Sequence, residues 1–118
     1  MRAAVISTIA FFVAIYAAGA QGVSTADDVR KGHDLAITIC AICHVGGVDQ
    51  AHEPIMKPPA PSFESIAQRK DVSADSLAKF ITTTHRGLDR PAGMPNPDLM
   101  DFQVKELVAY ILSLRKQP

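Results

Sequence analysis

The chain has 118 residues, with 12 Lys+Arg balanced by 12 Asp+Glu, two cysteines and no tryptophan. One domain is expected at this length, since domains commonly span roughly 100–150 residues. Neutrality excludes a nucleic-acid binder built on a basic stripe. Two cysteines exclude a disulfide-dense secreted scaffold.

At the N-terminus, Met1-Arg2 supplies a short positive start to an uncharged run from Ala3 to Ala18 that contains Phe11, Phe12, Val13 and Ile15. Ala18-Gly19-Ala20 then has the small-x-small pattern of a signal-peptidase site. Residues 1–20 are therefore expected to be a cleaved secretory signal and 21–118 a single exported domain. The uncharged run is short for a membrane span, which takes roughly 20 apolar residues. No stable membrane insertion is expected after cleavage; an uncleaved anchor is the alternative. A domain of about 100 residues folds alone with little stability in hand. A covalently held apolar group would enlarge its core.

The remainder reads as helices joined by proline-rich loops, with no period-two stretch long enough for a strand. Thr25-Ala26-Asp27-Asp28 resembles a capping box at the start of a first helix from Asp27 to about Ile42, with Leu35, Ile39 and Ile42 on one face. Gly46-Gly47 ends it. The connection from Gly46 to Ser62 holds Pro54, Pro58, Pro59 and Pro61, so it should be extended and irregular. A short second helix is expected from Phe63 to Arg69. Ser73 can cap a third, running to Gly87, in which Leu77, Phe80, Ile81 and Thr84 share a face. After a loop with Pro91, Pro95 and Pro97, a fourth helix should run from about Asp101 to Arg115. Val104, Leu107, Val108, Ile111 and Leu114 form its apolar stripe, and Arg115 and Lys116 suit its negative end. The expected fold class is all-α, with about four helices.

The chemistry lies in Cys40-Ala41-Ile42-Cys43-His44, a C-x-x-C-H sequence of the kind that attaches c-type haem. On a helix, positions 40, 43 and 44 share one face. Two thiols can then form thioethers with the haem vinyl groups while the adjacent imidazole reaches the iron. Three other uses of the pair compete with this one. A thiol–disulfide couple normally accompanies a βαβ pattern, which is missing. A zinc site could combine Cys40, Cys43 and His44 with His52, and a Cys40–Cys43 disulfide would close a tiny, strained loop.

Iron held by His44 needs a second axial donor, for which Met56, Met94, Met100, His33, His52 and His85 are candidates. Met94 is best placed. It lies in Pro91-Ala92-Gly93-Met94-Pro95-Asn96-Pro97, where Pro95 biases it away from the α region and Gly93 allows close approach of the chain. Met100 reads as an ordinary core methionine at the start of the last helix, and His33 and His52 as surface residues. His85 sits at a helix end, where the dipole favours a cationic ring in any case.

With these features the chain resembles the small class I cytochromes c over nearly all of residues 21–118. Gly32 and Leu35 stand before Cys40 as in the family's N-terminal helix, and Ala60-Pro61-Ser62-Phe63 is similar to its proline-x-apolar element. Met94-Pro95 matches its axial methionine, and Leu99 with the segment from Val104 to Leu114 resembles its C-terminal helix. The resemblance implies a cytochrome c-like fold around one haem c, attached through Cys40 and Cys43 with His44 and Met94 on the iron. It further implies that the Pro61 carbonyl orients His44, and that Gly32 meets Tyr110 where the first and last helices cross. Where the family commonly has a Ser or Thr N-cap after the leucine, this chain has Met100, so Asp98 or Asp101 could cap instead.

The function implied is a periplasmic one-electron carrier, not an enzyme, exchanging electrons with periplasmic or membrane-bound redox proteins and binding no nucleic acid. The alternatives are a permanently bound electron-transfer subunit of a larger dehydrogenase or oxidase, and a haem enzyme or sensor with an open iron position. Methionine ligation and an apolar pocket, for which Ile42, Phe63, Ile66, Phe80, Ile81, Leu88 and Leu107 are candidates, would both favour ferrous iron. Lys57, Lys79, Arg86 and Arg90 are candidate docking charges.

Overall fold

A computed structural model describes residues 23–83 and 93–116 of the chain. In order, its elements are α1 (Ala26–Thr38), a 3-10 turn (Cys40–Ile42), α2 (Phe63–Ala67), α3 (Ala74–Thr83) and α4 (Asp101–Ser113), with no strand among the described residues. The described residues therefore adopt the expected all-α architecture of four helices. The expected signal segment lies outside the described residues, as do His85, Arg86, Gly87, Leu88, Arg90 and Pro91.

Local side-chain chemistry sets the helix starts. Thr25 Oγ1 accepts from the Asp28 N–H at 3.1 Å while the Asp28 carboxylate accepts from the Thr25 N–H at 2.8 Å, a complete capping box. Ser62 caps α2 through a 3.1 Å bond from the Ser65 N–H. At the start of α3, Ser73 and Ser76 exchange reciprocal side-chain–backbone bonds of 3.1 and 2.8 Å.

Two helix boundaries differ from expectation. α1 ends at Thr38 instead of near Ile42. The β-branched run Ile37-Thr38-Ile39 is a poor helix former, Ile39 moves to φ −111° and ψ −49°, and the chain tightens into the 3-10 turn. At α4 the N-cap is Met100, neither Asp98 nor Asp101. Asp98 instead takes a left-handed φ of 49°, its N–H donating to Asn96 Oδ1 at 2.9 Å. The Met100 N–H is satisfied by Gln103 Oε1 at 3.0 Å. Met100 is 61% exposed, so it is not the core residue expected.

The core lies where α1, α2 and α3 pack on α4. From α4 come Val104, Leu107, Val108, Tyr110 and Ile111, joined by Ala36, Cys40, Phe63, Ala67, Leu77 and Ile81. Of the apolar stripe expected on α3, Leu77 and Ile81 are buried but Phe80 stays 49% exposed. α1 and α4 cross at Gly32, where an added Cβ would stand 2.0 Å from the Glu106 carbonyl oxygen and 2.8 Å from Tyr110 Cβ. The expected meeting of Gly32 and Tyr110 is thus present.

Arg115 does not serve the end of its own helix. Its Nε donates to Ala67 O at 3.0 Å and its Nη2 to Val72 O at 2.9 Å, tying the end of α2 to the chain beyond α4. No helix among the described residues is long and apolar enough to cross a membrane.

Candidate functional site

The segment Cys40–His44 winds one turn beyond α1, in 3-10 form and not on a continuous helix. The Cys43 and His44 N–H groups both donate to Cys40 O, at 3.1 and 2.9 Å. The second of these is a helical i to i+4 bond, so the two thiols and the imidazole still project from one turn. Carbonyls from Ala41 to Gly46 are taken up by the loop that follows and by α4. Ile42 O accepts from the Ile55 N–H, Cys43 O from the Ala60 N–H and Val45 O from the Phe63 N–H, each at 3.0 Å. Ala41 O accepts from Gln50 Nε2 at 3.2 Å, and Gly46 O from the buried Tyr110 hydroxyl at 2.8 Å.

This loop carries Pro61 back over the turn. His44 Nδ1 donates to Pro61 O at 2.7 Å, the contact expected from the resemblance. A carbonyl only accepts, so Nδ1 carries the proton and the neutral ring keeps its lone pair on Nε2. His44 is 8% exposed, and no protein hydrogen bond reaches Nε2 among the described residues. The Phe63 ring lies beside it, centroids 5.3 Å apart and tilted 48°. A buried imidazole with one nitrogen tied and the other aimed at no protein partner is arranged as a metal ligand.

Both cysteines are free, Cys40 buried and Cys43 half-buried. Burial, with a smaller contribution from nearby Cys43, pushes the Cys40 thiol up to about 11. Cys40, Cys43, His44 and His52 do not converge as a zinc site would require, and the strands of a thiol–disulfide fold are missing among the described residues. Two unpaired thiols one turn apart beside a free Nε2 fit a haem c.

Met94 lies in the extended segment between Gly93 and α4 and is half-buried. No hydrogen bond links it to the Cys40–His44 turn. Of the other methionines and histidines, Met56 is half-buried in the long loop and His52 is exposed, as expected. His33 is less of a surface residue than expected. Its Nε2 meets Asp49 Oδ1 at 2.9 Å and its ring packs edge-on to Tyr110 at 5.2 Å. The hydrogen bond to His33 is the main cause holding the Asp49 carboxyl below its usual value. Among the candidate pocket residues, Phe63, Ile81 and Leu107 are buried while Ile42 and Phe80 are 55% and 49% exposed.

Sequence reasoning missed the support around this turn. Gln50, the Tyr110 hydroxyl and the His33–Asp49 pair all act across the loop. Only Tyr110 carried a prior signal, and that concerned Gly32.

Comparison with known proteins agrees with this geometry. The family described as Cytochrome c matches residues 29–115. A Cytochrome c-552 of Bradyrhizobium diazoefficiens is 37% identical over 98 residues, covering 83% of this chain and 86% of that protein. No solved structure gave a significant match.

Proposed function

The chain belongs to the cytochrome c family, and on that premise we propose that it is a periplasmic one-electron carrier whose haem iron is held between His44 and Met94. Family membership makes it a monohaem electron-transfer protein with haem c bound through Cys40 and Cys43. When bound, the haem supplies a one-electron couple at its iron.

The chain's own residues hold that couple in place. The observation that carries the ligand assignment is the 2.7 Å bond from His44 Nδ1 to Pro61 O. It fixes the tautomer, orients the ring and raises the basicity of the other nitrogen. For the opposite side, Met94 is supported by its chain context. Pro95 follows it directly, and the Asn96–Asp98 turn leads straight into α4, so its backbone is restrained from the C-terminal side. Export is supported by the positive start, uncharged run and Ala18-Gly19-Ala20 of the N-terminus. Its partners are then redox proteins of the same compartment or of the adjoining membrane.

The test is an optical spectrum of protein matured with haem in a periplasm, oxidised and reduced, with and without cyanide. A sulfur-to-iron band in the oxidised form and slow cyanide binding are expected. Met94→Ala should keep the haem attached but lose that band and bind cyanide at once. Loss of the band in Met100→Ala, with Met94→Ala unchanged, would refute the assignment. High-spin bands in the parent protein would point to an enzyme or sensor.

A further inference from the structure

We propose that Gln50 is a positioning residue for the haem site, acting through the loop that delivers Pro61 to His44. The proposal rests on the reading of His44 as an iron ligand. Its ground is the way one carboxamide closes the first half of that loop.

The return from His44 to Pro61 covers 17 positions and contains two glycines at its start and several prolines near its end. No helix lies within it. Such a segment has much conformational freedom to lose, and only specific bonds can hold it in one shape. Its second half is held by main-chain bonds from Ile55, Ala60 and Phe63 to the turn. The first half has one main-chain bond of its own, from the Gln50 N–H to Gly47 O at 3.3 Å.

Beside the Tyr110 hydroxyl on Gly46 O and the His33–Asp49 pair, the Gln50 side chain supplies the bonds that join this half to itself and to the turn. Oε1 accepts from the Gly46 N–H at 2.8 Å, and Nε2 donates to His52 O at 2.7 Å and to Ala41 O at 3.2 Å. The acceptor and both donors of one amide are thus in use, joining the loop's start, its middle and the Cys40–His44 turn. Gln50 is itself half-buried, so water does not freely replace these bonds. Its two nearest relatives do not fit. Glutamate keeps the acceptor but sets a carboxylate against two carbonyls, and asparagine is one methylene short.

The consequence reaches the iron through one bond. If the loop loosens, the Pro61 carbonyl drifts from His44 Nδ1. The imidazole then becomes a weaker donor, which disfavours ferric iron. The control is Gln68, whose amide also makes two side-chain–backbone bonds, to Leu114 O at 2.9 Å and from the Lys116 N–H at 3.2 Å, but none to the loop or the Cys40–His44 turn.

The experiment compares wild type, Gln50→Leu and Gln68→Leu as haem-loaded proteins. Proton exchange at His44 Nδ1 is read by NMR in the reduced state, together with the reduction potential. Gln50→Leu should speed exchange about tenfold or more, as the loss of half-buried hydrogen bonds implies, and raise the potential. Gln68→Leu should move neither. An exchange rate in Gln50→Leu equal to wild type, or matched by Gln68→Leu, overturns the proposal. Where Gln50→Leu does not accumulate, Gln50→Asn must show the same acceleration, and a wild-type rate there overturns it equally. A wild-type His44 resonance without the shifts of an iron-bound ring would overturn the ligand reading first, which separates the two failures.

Discussion

Gly32 and Glu106 approach so closely that a methyl group on Gly32 would stand 2.0 Å from the Glu106 carbonyl oxygen. The clash is with backbone, which cannot swing aside as a side chain can. Gly32→Ala should therefore push α1 off α4 and cost about 3 kcal/mol. Denaturant unfolding of the haem-loaded protein measures this as a lower midpoint. An unchanged midpoint would mean that the two helices slide apart at no cost.

Tyr110 ties α4 to the loop after the attachment turn through its hydroxyl. Tyr110→Phe leaves Gly46 O without its buried donor, at a cost of about 1–2 kcal/mol. Burial, and to a lesser extent Asp49, raises the Tyr110 hydroxyl above its ordinary 10.0. A group raised in the fold contributes stability that is complete below the unfolded value and lost as pH climbs through the folded one. The gap between wild type and Tyr110→Phe should accordingly be constant below pH 10 and shrink above it, as read by urea titrations across that range.

Asp28 titrates with the opposite sign. Its bonds with the Thr25 backbone and then the Thr25 hydroxyl hold its carboxyl below 3.8. The stability it contributes is present above that value and is lost as pH falls through its lower folded one. Thr25→Ala removes half of the capping box and should cost about 1 kcal/mol at neutral pH. The sensitivity of α1 to acid should be smaller in that variant, which amide exchange in the first turn can read.

Arg115 reaches two carbonyls, Ala67 O and Val72 O, with different nitrogens of one planar group. A lysine ammonium cannot span both. Arg115→Lys and Arg115→Met should therefore destabilise alike, by about 1 kcal/mol. A fully stable Arg115→Lys would show that charge, and not geometry, is what the position needs.

Features carried by neighbouring residues were legible in the sequence. Thr25 with Asp28, and Ser73 before the third helix, are caps whose partners lie three positions away, and both are present. The attachment motif needs only five adjacent residues. Features decided by distant partners were not legible. Met100 is the exception, since its partner Gln103 lies only three positions on; it escapes notice because a methionine side chain does not advertise an N-cap. His33 looks like a surface residue on α1 until Asp49 and Tyr110 are brought to it from the loop and from α4. Gln50 shows nothing in sequence beyond a polar residue in a loop, because its three partners are all main-chain atoms. Phe80 departs from its stripe because Leu77 and Ile81 enter the core with Ala78 packed beside them, while Phe80 stays 49% exposed.

The packing of α1 on α4 also sets an order of events. A chain made from its N-terminus has Cys40 in hand long before Tyr110 exists, and α1 has nothing to pack on until the last helix has been made. In the finished fold Cys40 is only 7% exposed and reluctant to ionise. Chemistry at its sulfur thus belongs to the interval before closure, while the thiol still meets solvent. The helix that docks last seals the result, and the chain is receptive only while α4 stands away from α1.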